Sequence, residues 1–324
     1  IDRTSTESVG FRAITLVDKN DRSSIRDAVF ETGNMPVVDG TGTTAYLVPE
    51  SALGAGGIRI TAPGYRPIEV AGDIPDTLSL TPWFGGKLIG ARIFINPEGG
   101  FGSEFGIGNL GLSGPHVNLH VARYLAEYLR AAGAEVRLAR ATEETLSDRD
   151  IVTLTNQFRA NRYIEIRHRS APSDTGRSVT THFFPGSQKG HAAATDIGDA
   201  LSRSLGINPS FPIETVTYPL QQTACPAIIV EPPSLADTDE ELRLSEPWYQ
   251  RVQAYGIFCG ILANFGVDDA ASLRVGVGSE PPDPSVAPAN WLVTIDSTWR
   301  LLVSNDGVAT FDLLPPGDHR VVLQ

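Results

Sequence analysis

The chain predicts an α/β fold, a central mixed, largely parallel sheet with helices on both faces, flanked by two small all-β sandwich-type domains. Residues 1–88 and 268–324 are short β-rich runs broken by turn residues, whereas 89–267 alternate apolar runs with helical periodicity. A length of 324 residues exceeds what one hydrophobic core serves, and 41% hydrophobic content fills more than one. The expected domains are therefore 1–88, 89–267 and 268–324.

In the first segment FRAITLV, TTAYLV, GIRITA and RPIEVA read as strands, separated by the turn signals DKND, VDGTGT, GAGG and APGY. The middle segment starts with ARIFINPEGG, an apolar strand (Ile93, Phe94, Ile95) that stops in a Pro-Glu-Gly-Gly turn carrying Glu98. Ligands of open α/β sheets bind beyond the carboxyl ends of strands, so this turn is a candidate site. Ser113-Gly114-Pro115 opens a helix with a cap residue and an early proline. Val117, Val121, Leu125 and Leu129 line one face of it, and Gly133 closes it. AEVRLAR is the next strand. A second helix starts at Ser147 with Asp150 three residues on, and places Ile151, Leu154 and Phe158 on one side. YIEIR and THFFPG are strands, Ala192 to Leu205 a helix, PAIIVE the most apolar strand, and Glu246 to Phe265 the closing helix. The last segment follows the linker SEPPDPSVAP with WLVTIDS, WRLLVS and VATFDLLPPGDHRVVL.

A net charge of −12 and a pI near 4.9 argue against a duplex nucleic acid or an anionic membrane, both of which need clustered Lys and Arg. No run approaches the ~18 apolar residues of a membrane span. The opening IDRTSTES lacks a signal-peptide pattern, so export implies a leader already removed. Cys225 and Cys259 read as two buried thiols, with a single disulfide left open for an oxidising compartment.

Four segments of residues 91–266 carry a family resemblance. They are Asn96-Pro97-Glu98-Gly99-Gly100, Gly114-Pro115-His116-Val117-Asn118-Leu119, Tyr163-Ile164-Glu165-Ile166-Arg167 and Pro226 to Glu231. In order, spacing and element type they resemble the zinc-dependent N-acetylmuramoyl-L-alanine amidases, whose corresponding motifs are Asp-Pro-Gly-His-Gly-Gly, Glu-Lys-x-Val-x-Leu, Phe-Ile-Ser-Ile-His and Pro-Ala, three apolar residues, Glu. Such enzymes cleave the amide between the glycan lactyl group and the stem peptide of peptidoglycan. The flanks loosely resemble carboxypeptidase-regulatory-like β-sandwich modules, through Asp39-Gly40 with Ala62-Pro63-Gly64-Tyr65, and Asp306-Gly307 with Leu314-Pro315-Pro316-Gly317. That likeness implies an accessory role, with Tyr65 a packing residue.

The resemblance implies a His-Glu-His zinc site with an open water position and a glutamate base on the last strand. In direct register the ligand positions here hold Glu98, Gly114 and Arg167, and Glu231 alone matches, as the base. Glycine offers no side chain, and a guanidinium stays protonated without a lone pair. The expectation is a dismantled site with no cofactor, in which Arg167 forms a bidentate pair with Glu98 in the metal's place. The alternative shifts the register so that Glu98, His116 and His168 hold zinc, and His168-Arg169-Ser170-Ala171 echoes the family's His-x-Asn-Ala. Neighbouring strand residues face opposite sides, so His168 reaches the site only through a bulge.

Plainer readings stand beside these. Glu98 and Glu104 suit solvated loop acids, His116 a first-turn surface residue, and Arg167-His168-Arg169 a basic strand end. His182 and His191 have no partner spacing that suggests metal and read as structural. Glu231 at the end of an apolar strand needs a buried partner, which favours a pocket. Three functions follow from the resemblance. The first is a non-catalytic module binding peptidoglycan, a muropeptide or an envelope protein, in the periplasm or outside the cell. The second is an active zinc hydrolase using Glu98, His116 and His168. The third is a structural envelope protein whose α/β domain is a spacer, with side chains filling the space around Glu231.

Overall fold

The computed structural model describes residues 10–32, 35–39, 43–53, 57–100, 106–170, 177–208, 211–267, 271–276, 291–296, 299–304, 306–314 and 318–324. Glu104 and the linker SEPPDPSVAP lie outside them. The chain divides into two compact units. One holds residues 1–85, 295–299 and 319–321; the other holds 86–294, 300–318 and 322–324. Residues of 268–324, expected above as a small β domain, divide between the two.

The first unit contains β1 (Phe11–Asp18), β2 (Val29–Thr32), β3 (Met35–Asp39), β4 (Ala45–Pro49), the short helix α1 (Glu50–Leu53), β5 (Ile58–Thr61), β6 (Ile68–Val70) and β7 (Thr77–Leu80). They form two sheets, β4-β1-β7 and β3-β2-β5-β6. The period of two turns Ile14 and Leu16 inward from β1, and they share one core with Phe30, Tyr46, Ile58, Ile60 and Leu80. Tyr65 packs against this core, and its hydroxyl donates to Asp18 Oδ2 at 3.1 Å.

The second unit is the α/β layer. It runs β8 (Arg92–Pro97), α2 (Gly114–Ala131), β9 (Glu135–Leu138), α3 (Asp148–Phe158), β10 (Arg162–Ile166), β11 (Thr180–Phe183), α4 (Gln188–Ser204), β12 (Ile213–Glu214), α5 (Tyr218–Gln222), β13 (Ala227–Glu231), α6 (Thr238–Leu244) and α7 (Pro247–Asn264). The sheet order is β12-β11-β13-β10-β8-β9. Strands β13, β10, β8 and β9 are parallel, and β11 enters antiparallel beside β13. The expected mixed, largely parallel sheet with helices on both faces is what forms. Beyond it, β14 (Ala271–Gly276) pairs antiparallel with β17 (Val308–Leu314), and β15 (Leu292–Ile295), β16 (Trp299–Leu302) and β18 (Val321–Leu323) form a small sheet. Among the described residues no helix is long and apolar enough to cross a membrane.

Local chemistry explains the helix starts. Ser147 caps α3, its hydroxyl accepting from Asp150 N at 3.2 Å and donating to Asp150 Oδ2 at 2.6 Å. Helix α4 begins at Gln188, four residues earlier than expected, because Ser187 caps it by accepting from Gly190 N. Besides α1, two short helices of the α/β unit, α5 and α6, were not expected from the sequence. Each is capped by a side chain, Thr217 and Asp237, but is too short to show a period.

The pleat sorts the sheet into two faces. Phe94, Tyr163, Ala227 and Ile229 pack under α3 and α5 with Ile151, Phe158 and Leu220. Residues of the opposite parity meet α2, α4 and α7, where Thr181 Oγ1 donates to Ala194 O at 3.0 Å. The candidate residues lie where the parallel strands of the first face end.

Candidate functional site

Residues i, i+2 and i+4 of one strand share a face, so β10 presents Tyr163, Glu165 and Arg167 together. Parallel pairing sets Asn96 of β8 opposite Glu165. Asn96 Nδ2 donates to Tyr163 Oη and to Glu165 Oε2, both at 3.1 Å, and Tyr163 Oη donates to Glu165 Oε2 at 2.6 Å. Glu165 is 2% exposed, and its other oxygen takes Arg167 Nη2 at 2.5 Å. The partner of Arg167 is therefore Glu165, with Glu231 at 3.6 Å from Nη1, and not the bidentate pair with Glu98 expected above. Toward Glu98 the guanidinium acts through its charge alone.

Glu231 ends β13 on the same face and is 6% exposed. Around its carboxylate stand Arg169 Nη1 at 3.2 Å, Arg167 Nη1 at 3.6 Å and His182 Nε2 at 3.2 Å, the last off the line of a hydrogen bond. His182, read as structural from the sequence, is thus part of the cluster, because antiparallel β11 lies against β13. Its Nδ1 lies 2.8 Å from Thr215 Oγ1, which orients the ring. His191 does not join them; it packs edge-on against Phe183.

The electrostatics follow from burial and these pairings. Burial raises the Glu98 carboxyl above its usual range and the Glu165 charge adds to this, against the pull of Arg167 and Arg140. Asp148, at the start of α3, is raised by burial and then by Glu165. Burial would also raise Glu231, but His182, Arg169 and Arg167 together hold it below the usual carboxylate range. Burial works against the Arg167 charge, and Glu165, Glu98 and Glu231 outweigh it.

The second ligand position is closed. A Cβ built on Gly114 would lie 2.8 Å from Gly106 O and 2.9 Å from His168 O, and Gly114 N donates to Gly106 O at 2.5 Å. No side chain fits there without moving backbone. The donor set in direct register is thus one carboxylate, no side chain and a guanidinium, which does not fit a zinc ion. Among the described residues no group of three His, Cys, Asp or Glu is arranged to hold a metal.

The alternative set is not brought together. His168, the next residue after Arg167, points to the opposite face and is 1% exposed. Asn118 Oδ1 of α2 accepts from His168 N at 3.0 Å and lies 2.7 Å from its Nδ1, while Gln253 of α7 stands 2.9 Å from Nε2. An amide oxygen at Nδ1 assigns the proton there, so Nε2 accepts. Gln253 Oε1 is the atom placed against Nε2 while the Gln253 amide nitrogen has no partner among the described residues; exchanging the two amide atoms would let it donate to the ring. Burial lowers the His168 pKa to about 4, and the ring is neutral. His116 is exposed, 3.2 Å from Glu143, with its ring tilted against that of His120. Asn118 ties these elements together, since its Nδ2 also donates to Glu98 O at 3.0 Å.

Sequence reasoning named Glu98, Arg167 and Glu231 and missed Asn96, Glu165, Arg169 and His182 as site residues. The alternation of YIEIR carried a signal for Glu165, since the period of two puts its charge on the same face as that of Arg167. Arg140 was missed as well. It is 2% exposed, and its guanidinium donates to Pro97 O at 2.8 Å and Pro115 O at 2.7 Å, clamping the end of β8 to the start of α2.

Comparison with known proteins gives a consistent answer for this layer. The profile of the family described as N-acetylmuramoyl-L-alanine amidase (Amidase_3) matches residues 94–263. The chain is 27% identical over 203 residues to the germination-specific N-acetylmuramoyl-L-alanine amidase of Bacillus subtilis (strain 168), covering 58% of this chain and 84% of that one. With the N-acetylmuramoyl-L-alanine amidase LytC of the same organism it shares 23% identity over 180 residues, 55% of this chain but 36% of LytC. The chain thus spans about a third of LytC. Among solved structures, the catalytic domain of CwlV from Bacillus (Paenibacillus) polymyxa var. colistinus superposes with a TM-score of 0.51 at 21% identity, covering 55% of this chain and 99% of that one. An N-acetylmuramoyl-L-alanine amidase from Clostridium difficile 630 gives a TM-score of 0.51 at 21% identity, over 53% and 95% of the two chains. At these identities the structural likeness is one of fold.

Proposed function

The chain belongs to the N-acetylmuramoyl-L-alanine amidase family, and from that premise we propose that its peptidoglycan amidase-type domain binds peptidoglycan or a muropeptide without cleaving it. In this reading the zinc site is dismantled, no metal is needed, and the protein acts in the periplasm or outside the cell as a binding module of the envelope. The β-rich flanks, 1–88 and 268–324, serve as accessory modules that position it.

The observation that carries the reading is the Arg167 guanidinium, held 2.5 Å from Glu165 and 3.6 Å from Glu231 at the end of β10, where the family places a ligand histidine. A fixed positive charge there offsets the acids that line the site, and it supplies no Lewis acidity to activate water. The lack of room for a side chain at Gly114 supports the same reading. Arg167 and Arg169 keep N–H groups suited to carboxylates, which stem peptides carry.

The test combines metal analysis, cosedimentation with purified insoluble peptidoglycan, and incubation with muropeptides. Cosedimentation with no stoichiometric zinc and no released stem peptide is the expected result. Stoichiometric zinc with released stem peptide would instead establish an active hydrolase. The enclosure of Glu231 by three side chains favours one second reading, a structural envelope protein in which this domain is a spacer. Failure to cosediment with peptidoglycan selects that reading.

A further inference from the structure

A second cluster of charge lies in the same α/β unit and takes no part in the site above. A cavity of about 600 Å³ is lined by Arg177, Arg203 of α4, Arg243 of α6 and Arg274 of β14, together with residues of β17. Its volume is in the range of small-molecule sites. In a chain of net charge −12, four guanidinium groups from four separate segments converge on one space.

These arginines are not neutralised one for one. A single carboxylate, Glu240, fully buried behind the cavity, holds two of them, with Arg177 Nε at 3.0 Å and Arg243 Nη1 at 3.3 Å. Tyr249 Oη fixes that carboxylate from its other oxygen. Arg177 Nη2 is further anchored to Leu205 O at 3.2 Å and Tyr249 Oη at 3.3 Å, which leaves its Nη1 without a partner among the described residues. Arg203 Nε pairs with Asp312 at 2.7 Å. Arg274 is exposed and makes no ion pair among the described residues. Among the described residues one acid lines the cavity, Asp306, which takes the Ser304 hydroxyl and lies in the field of Arg274. Four guanidiniums thus stand against three carboxylates. Three of them, Arg177, Arg243 and Arg203, are paired before any ligand arrives, so little ordering cost remains to be met on binding.

We infer that this cavity binds a small organic phosphate, its phosphate taken by the arginines and its neutral, hydroxyl-rich body lying against Asn208 and Thr310. Guanidinium forks that approach from several directions match a tetrahedral dianion better than a planar carboxylate. Asp306 repels a second negative group, which limits the ligand to one phosphate on an uncharged carrier.

Isothermal titration of the full chain with glucose 1-phosphate, inorganic phosphate, glucose and citrate tests this, with Arg274→Ala and Arg203→Ala as variants. Arg177 is left intact because it holds Glu240. Saturable binding of glucose 1-phosphate is expected, tighter than that of inorganic phosphate, weakened by salt, and absent for glucose. Each variant should retain the parent melting temperature and bind about tenfold more weakly, the loss typical of one charge-assisted contact. No saturable binding of glucose 1-phosphate overturns the proposal, as does tighter binding of citrate or an unchanged Kd in both variants. Because Glu231 and Arg167 are untouched, failure here is independent of the peptidoglycan reading.

Discussion

Replacing Arg167 by methionine removes the cation shared by Glu165 and Glu231 while keeping most of the side chain's apolar volume. Both acids are buried, with 3% and 7% of their side-chain surfaces exposed. Taking one partner from a buried ion pair costs about 3–5 kcal/mol, because the remaining charge stays desolvated. The low end applies here. Arg167 itself keeps 29% side-chain exposure, Glu231 retains Arg169 and His182, and Glu165 retains Tyr163 and Asn96. The expected loss at neutral pH is about 3 kcal/mol, which at roughly 2–4 °C per kcal/mol for a unit of this size lowers Tm by about 6–12 °C. Urea unfolding followed by circular dichroism measures the free energy, and the double variant Glu165→Gln with Arg167→Met should recover at least about 1 kcal/mol of coupling. The pH dependence has a defined sign. Glu231 lies below its usual range in the folded state, so its contribution is present above the unfolded carboxylate range near 4.5 and is lost as pH falls through the folded value. The penalty of Arg167→Met should therefore shrink in acid. A loss under about 0.5 kcal/mol, the level of an ordinary surface change, or a double variant no more stable than Arg167→Met, refutes the assignment of Arg167 as the internal counter-charge.

Other outcomes follow from the same geometry. The folded-state pKa of His168 lies near 4 against 6.5 unfolded, so the unfolded chain binds more protons between those values. Stability should fall by about 3 kcal/mol as pH drops across that window, and His168→Gln should flatten the slope in urea titrations; an unaltered slope places the titration elsewhere. Gly260→Ala puts a Cβ 2.4 Å from Ile197 Cα and 2.7 Å from Asp196 O, backbone atoms that cannot step aside, so the α4–α7 contact should lose about 2 kcal/mol or more. An unchanged melting temperature would show that the helices separate easily. Cys259 is buried and its thiol raised, so it should not react with a disulfide reagent near pH 8 until the chain unfolds, whereas half-buried Cys225, pushed up to about 11, should label slowly. Rapid labelling of native protein would contradict that burial.

The α/β layer was legible because its signals are local. The run of Ile93, Phe94 and Ile95, the i, i+4 face of Val117, Val121, Leu125 and Leu129, and the Ser147 cap each report their own element within a few residues. The pleat argument that set His168 apart from Arg167 was equally local, since strand neighbours face opposite ways whatever the fold around them. The sequence also determined that a glycine and an arginine stand where the family resemblance calls for zinc ligands.

Only the tertiary structure decided whom those residues meet. Arg167 has acids before it in the chain at Glu98 and Glu165, and parity alone admits either. The choice of Glu165 comes from Asn96 and Tyr163, which hold its carboxylate in reach through the β8–β10 register. His182 joined Glu231 because β11 reverses direction beside β13, and the short, weakly periodic segments around it carry no local signal of that reversal. Strand register and direction are set by the packing of many side chains at once, whereas helix caps and strand faces are set by the few residues that form them; the elements could be read from the chain, and the ion pairs between them required the fold.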